Sequence, residues 1–154
     1  MKTLDALKAI LLEQKNCCKA LVGLLQKERA HLVDFDVRAI EELTKEKDTV
    51  MLRLRLLEEE RIRLTATLAA DAPGGASGDV TLRSLAERTG DAELAGIRRD
   101  LVSLVQSVDD LNGFNRHLID RSIGTLRTST GFFQAFGGRT SPPPESGTLV
   151  SRET

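Results

Sequence analysis

Apolar residues recur along this chain at alternating steps of three and four. From the N-terminus Leu4, Leu7, Leu11, Gln14, Cys18, Leu21, Leu25, Glu28 and Leu32 stand at that spacing, and seven of the nine are apolar. Such a narrow stripe is the seam by which one helix packs on another. Leu12, Val22 and Leu24 widen it on one side. The spacing predicts a helix over 2–33, on the order of 45 Å long at ~1.5 Å per residue. The pattern breaks at Val33-Asp34-Phe35-Asp36, where the Asp36 carboxylate is placed to accept from the free N–H groups of a following helix. A second stripe runs through Ile40, Leu43, Lys47, Val50, Leu54, Leu57, Arg61, Leu64 and Leu68, again seven of nine apolar, and predicts a helix over 36–70. The connection between the two is short, so an antiparallel hairpin is the simplest arrangement.

Ala72-Pro73-Gly74-Gly75-Ala76-Ser77-Gly78 ends the second helix by composition. No Gly-Lys-Ser/Thr follows it and no strand pattern precedes it, so it is not a phosphate loop. Thr81 to Arg88 then predicts a short capped helix over 81–88, closed by Thr89-Gly90, with Asp91 capping a third long helix over 91–136. That helix carries Leu94, Ile97, Leu101, Leu104, Val108 and Leu111, and then meets Asn115 and Ser122 where apolar residues are due. A second stripe lies beside it: Ile119, Ile123, Leu126 and Phe133. Gly131 is a poor helix former, which predicts loose final turns. With no strand pattern anywhere, the expected fold is all-α: an elongated antiparallel bundle of three long helices with a short helix before the last. The domain is expected over 1–138, and the Pro-rich 139–154 as a disordered tail.

Composition narrows the function classes. Lys and Arg number 22 against 23 Asp and Glu, and Trp and Tyr are absent. Neither nucleic acid nor an anionic membrane surface is expected as a partner on those grounds. No uncharged apolar stretch approaches the ~18 residues of a membrane span, and the N-terminus has no apolar signal core, so the expected compartment is the cytoplasm. Cys17 and Cys18 are adjacent and cannot close an ordinary loop with each other, and neither they nor His31 and His117 show metal-ligand spacing. No nucleophile–base–orienter set is visible, so no catalytic residue, cofactor or metal is expected. Arg61, in the seam of the second helix, reads as a snorkelling arginine at the bundle edge. The interleaved charges of Glu41 to Lys47 and of Glu58-Glu59-Glu60-Arg61 read as solvated faces.

What remains is binding. Asn112 and Asn115 have two readings: a buried polar layer that sets helix register, or the point where the bundle surface opens to a partner. Three of the chain's five phenylalanines are Phe132, Phe133 and Phe136, which either cap the bundle end or form an exposed apolar patch of the kind that marks interaction sites.

The run Asn112-x-x-Asn115-x-x-Leu118-Ile119-x-x-Ser122 resembles the C-terminal signature of the FlgN flagellar export chaperones. Leu25-x-x-Glu28-x-x-x-Leu32 leading to Asp36-x-x-x-Ile40-x-x-Leu43-x-x-x-Lys47 is similar to the family's first part, as is Glu58-Glu59-Glu60-Arg61 before a Gly-rich break. The resemblance covers residues 2–137, with Gly113 and the tail after Gly138 as departures. It implies a cytoplasmic, cofactor-free chaperone that binds the C-terminal helical segment of hook–filament junction proteins, prevents premature assembly and delivers them to export-gate components. The partner-binding residues it implies are Asn112, Asn115, Leu118, Ile119, Ile123, Leu126, Phe132, Phe133 and Phe136. A homodimer is compatible with the seams. The rival reading is a structural or adaptor coiled-coil protein of the secretion apparatus, without chaperone activity.

Overall fold

The turn at residues 34–36 shows how local chemistry cuts one helical pattern into two. In a computed structural model that describes residues 2–71 and 80–136, α1 (Lys2–Val33) ends where Phe35 takes a left-handed backbone, φ 55°. The Asp34 and Asp36 N–H groups donate to the Ala30 and His31 carbonyls, acceptors that the last helical turn leaves free. Asp36 then starts α2 (Val37–Ala70), its carboxylate accepting from Ala39 N at 3.1 Å. Thr81 caps α3 (Leu82–Thr89) by accepting from Ser84 N at 3.1 Å, and Gly90 closes it in the left-handed region at φ 63°. Asp91 accepts from Leu94 N at 3.0 Å and opens α4 (Ala92–Phe136). The helices match the boundaries expected from the stripes to within a residue, because Asp36, Thr81 and Asp91 are caps that stand just outside.

All the regular structure among the described residues is helical. The Gly-rich break at 72–78 and the tail at 139–154 lie outside the described residues, as do the side chains of Phe132, Phe133 and Phe136. α4 stays helical through Gly124 and Gly131 to Phe136, the end expected from the sequence. An interior glycine costs about 1 kcal/mol relative to alanine, and a helix of this length already has its nucleus formed, so each added residue needs only propagation.

The described residues fall into two compact units, one up to Leu118 and one from Ile119 on. Within the first, Gln14 meets Glu58 and Glu28 meets Lys47, so α1 and α2 run antiparallel. α4 runs along α1 in the same direction: Lys8 meets Glu93 and Lys15 meets Asp100, both at an offset of 85 residues. Arg29, set over the Phe114 ring at 4.2 Å, repeats that offset. The apolar core lies where the start of α1, the end of α2, α3 and the start of α4 converge: Leu7, Leu11, Leu64, Leu85, Ala86, Leu94 and Ile97. Of these, Leu7, Leu11 and Leu94 are completely buried.

Neighbouring leucines on α1 separate core from surface. Leu11 is 0% exposed and Leu12 is 42% exposed. Leu11→Ala is expected to destabilise the protein by about 3 kcal/mol through lost burial and the residual cavity, while Leu12→Ala stays within about 0.5 kcal/mol. Urea unfolding of both variants measures this; equal losses would contradict the packing described.

Candidate partner-binding site

Polar residues that interrupt the seams meet one another. Glu28 on α1 is nearly buried; its Oε1 accepts from Asn115 Nδ2 of α4 at 3.0 Å, and its Oε2 accepts from Lys47 Nζ of α2. Asn115 Nδ2 also donates to the Leu25 carbonyl at 2.9 Å. Glu28, Lys47 and Asn115 therefore tie α1, α2 and α4 at one level. Asn115 is 1% exposed, and its Oδ1 is buried with no partner among the described residues. A buried unpaired carbonyl costs on the order of 1–3 kcal/mol, so this layer sets register more than it adds strength. Of the two readings open for Asn115, the side chain adopts the buried polar layer. Asn112 is exposed, so the two asparagines do not form one cluster.

A second polar group sits higher in the first unit. Gln14 Nε2 donates to Glu58 at 3.0 Å, and Arg61 Nε donates to Glu58 at 2.7 Å. Arg61 holds the Glu58 carboxyl below the usual carboxylate range, partly opposed by burial and aided by Gln14. Arg61, expected as a snorkelling arginine at the bundle edge, is half-buried there and pairs with Glu58 one turn earlier, which also reaches Gln14 of α1. At the start of the unit, Lys8 pairs with Asp91 at 2.6 Å and lowers its carboxyl, and Lys15 does the same for Asp100 at 2.7 Å.

Around the second group α1, α2 and α4 leave an open cleft of about 550 Å³. Its apolar walls include Leu11, Leu54, Leu101, Val102 and Val105, with Leu82 of α3 contributing to the lining. Sequence reading placed Leu11, Leu54 and Leu101 in seams but missed Val102 and Val105. Their spacing from Arg98, at i+4 and i+7, is the signal of a second stripe beside the seam. Burial raises the thiol of Cys18, which also lines the cleft, and that of Cys17, so neither is an activated nucleophile.

The remaining residues expected to bind a partner lie further along α4. Leu118 is half-buried and ends the first unit. In the second unit Ile119 is 39%, Ile123 43% and Leu126 61% exposed, an apolar stripe at i, i+4 and i+7 on a helix whose described neighbours are polar or small. Phe132, Phe133 and Phe136 belong to the same helix, with side chains outside the described set. Among the described residues there is no group of three or more His, Cys, Asp or Glu able to hold a metal ion, and no helix long and apolar enough to cross a membrane.

A family model described as FlgN protein matches residues 1–140. The chain belongs to the FlgN family. FlgN proteins are flagellar export chaperones, proteins of flagellar biogenesis that bind export substrates. Searches of curated proteins and of solved structures find no match.

The three-helix tie is testable by a double-mutant cycle. Lys47→Met strands the nearly buried Glu28 carboxylate and is expected to cost about 2 kcal/mol. Adding Glu28→Leu to the same chain removes the stranded charge and should recover most of that loss. Thermal melting of the two single variants and the double reads the coupling; strictly additive losses would show that the tie contributes nothing.

Proposed function

We propose that this FlgN protein acts in the cytoplasm as a chaperone of hook–filament junction proteins. It binds their C-terminal helical segment, blocks premature assembly and delivers the cargo to export-gate components. The observation that supports this reading is the exposed stripe of Ile119, Ile123 and Leu126. Fully burying one such side chain is worth roughly 1.5–3 kcal/mol, and a stripe at helical spacing is what an amphipathic helix lays its own apolar face against. Phe132, Phe133 and Phe136 extend the same site toward the end of α4. Asn115, in the first unit, fixes where that part of α4 lies on α1; Asn112 and Leu118 are assigned to contacts with the same substrate. The long helices of the first unit, α2 antiparallel to α1 and α4 parallel to it, are the scaffold we assign to this role. The segment that binds is ordered on binding, so part of the contact energy goes to lost conformational entropy.

Ile123 and Leu126 are exposed, so truncating them should leave folding intact. Ile123→Ala with Leu126→Ala is expected to weaken binding of a junction-protein C-terminal peptide about tenfold or more, the usual scale for interface anchors, with an unchanged melting temperature. Calorimetric titration and thermal melting of the full chain measure both. Unchanged affinity would overturn the site, and a large fall in melting temperature would place these residues in a core.

A further inference from the structure

The cleft in the first unit is lined by faces of three long helices. Its lining comes from α1 at positions 11, 14 and 18, from α2 at 54, 58 and 61, and from α4 at 98, 101, 102, 105 and 106, with Leu82 of α3 beside them. Each set is one face of a helix over about two turns, at i, i+3 or i+4, and i+7. From 98 to 106 that face is ~12 Å long. Three helical faces around one trough leave grooves of helical pitch, and the solid that fills such a trough is a fourth helix, as in four-helix bundles. Val102 and Val105 are each 48% exposed, so the apolar wall on α4 is uncovered.

Charge completes the argument. Glu58 is already neutralised by Arg61, with both groups in the lining. Arg98 is half-buried in the same lining and has no ion-pair partner among the described residues. An apolar trough with one uncompensated guanidinium favours an occupant that brings a carboxylate, because a partly desolvated cation gains from a paired anion and rejects a like charge.

We propose that this cleft is a second docking site, distinct from the stripe at Ile119–Leu126, that receives an amphipathic helix of a partner polypeptide carrying an Asp or Glu opposite Arg98. Two turns of the partner supply two or three aliphatic side chains to Leu54, Leu101, Val102 and Val105. The carboxylate sits at the Arg98 end and fixes which way round the helix lies. A protein with two such sites holds two separate helical segments at once.

The test uses the full chain and a fluorescein-labelled helical peptide of about 16 residues, with leucines on one face and a single glutamate beside them; a matched peptide carries lysine in place of the glutamate. Fluorescence anisotropy should show the glutamate peptide binding, and the lysine peptide binding about tenfold more weakly. Arg98→Glu should reverse that preference, Val105→Asp should weaken the glutamate peptide about tenfold or more, and Ile123→Ala with Leu126→Ala should leave its affinity unchanged. Thermal melting of each variant confirms folding; if Arg98→Glu is unstable, Arg98→Gln must still erase the preference between the two peptides. Equal binding of both peptides to the unmodified chain, or indifference to Val105→Asp, would overturn the proposal. Loss of binding in the Ile123 and Leu126 variant would place the peptide on the other face. Light scattering that shows a dimer dissociated by Val105→Asp would give the cleft to a second copy of this chain and equally overturn it.

Discussion

The nearly buried carboxylate of Glu28 is the constraint on which the rest depends. A charge removed from water must find partners, and Glu28 finds one on each neighbouring helix: the Lys47 ammonium on α2 and the Asn115 amide on α4. A slip of either helix by one turn would strand it. Leucine seams are permissive about register, since one leucine fits nearly as well as the next, whereas this polar layer accepts a single alignment. The constant offset between α1 and α4 at Lys8, Lys15 and Arg29 is the visible result. The energy of association comes from the buried leucines along the unit, Leu21, Leu25 and Leu43 near the layer as well as Leu7, Leu11 and Leu94 farther off, and the polar layer decides how they meet.

Fixing register leaves surface free for binding. The core is concentrated where α3 covers the start of α1 and α4, so Leu94 and Ile97 are fully packed while Leu101, Leu104, Val108 and Leu111 along the same seam are only half-buried. Beside them the walls of the cleft stay open, and beyond Leu118 the described apolar side chains of α4 are exposed. α4 thus changes character along its length, from core helix to tied helix to a helix with an uncovered stripe.

Much of this was legible from residue order. The stripes predict every helix because burial on one face imposes a period of 3.6, and Asp36, Thr81 and Asp91 mark the starts because capping is a contact between residues three apart. Pairing was less accessible. Gln14, Glu28, Lys47, Arg61 and Asn115 are visible as interruptions of the seams, yet nothing local says that Glu28 joins Lys47 and Asn115 while Arg61 joins Glu58. The different fates of Asn112 and Asn115 likewise depend on which face of α4 meets α1. The cleft was missed because a stripe records that a face is apolar and not whether a neighbour covers it.

α4 is tied as far as the Asn115 layer and its apolar residues beyond are exposed, and it is there that we propose substrate binds. Hydrogen exchange followed along α4 in the full chain tests this most directly, because amide protection follows local burial and packing. Amides from 94 to 115 should exchange slowly and those from 119 to 136 rapidly in the free protein. Adding the C-terminal segment of a junction protein should slow the second stretch. Uniform protection along the whole of α4 before any partner is added, or a partner that slows none of the amides beyond 118, would contradict the account.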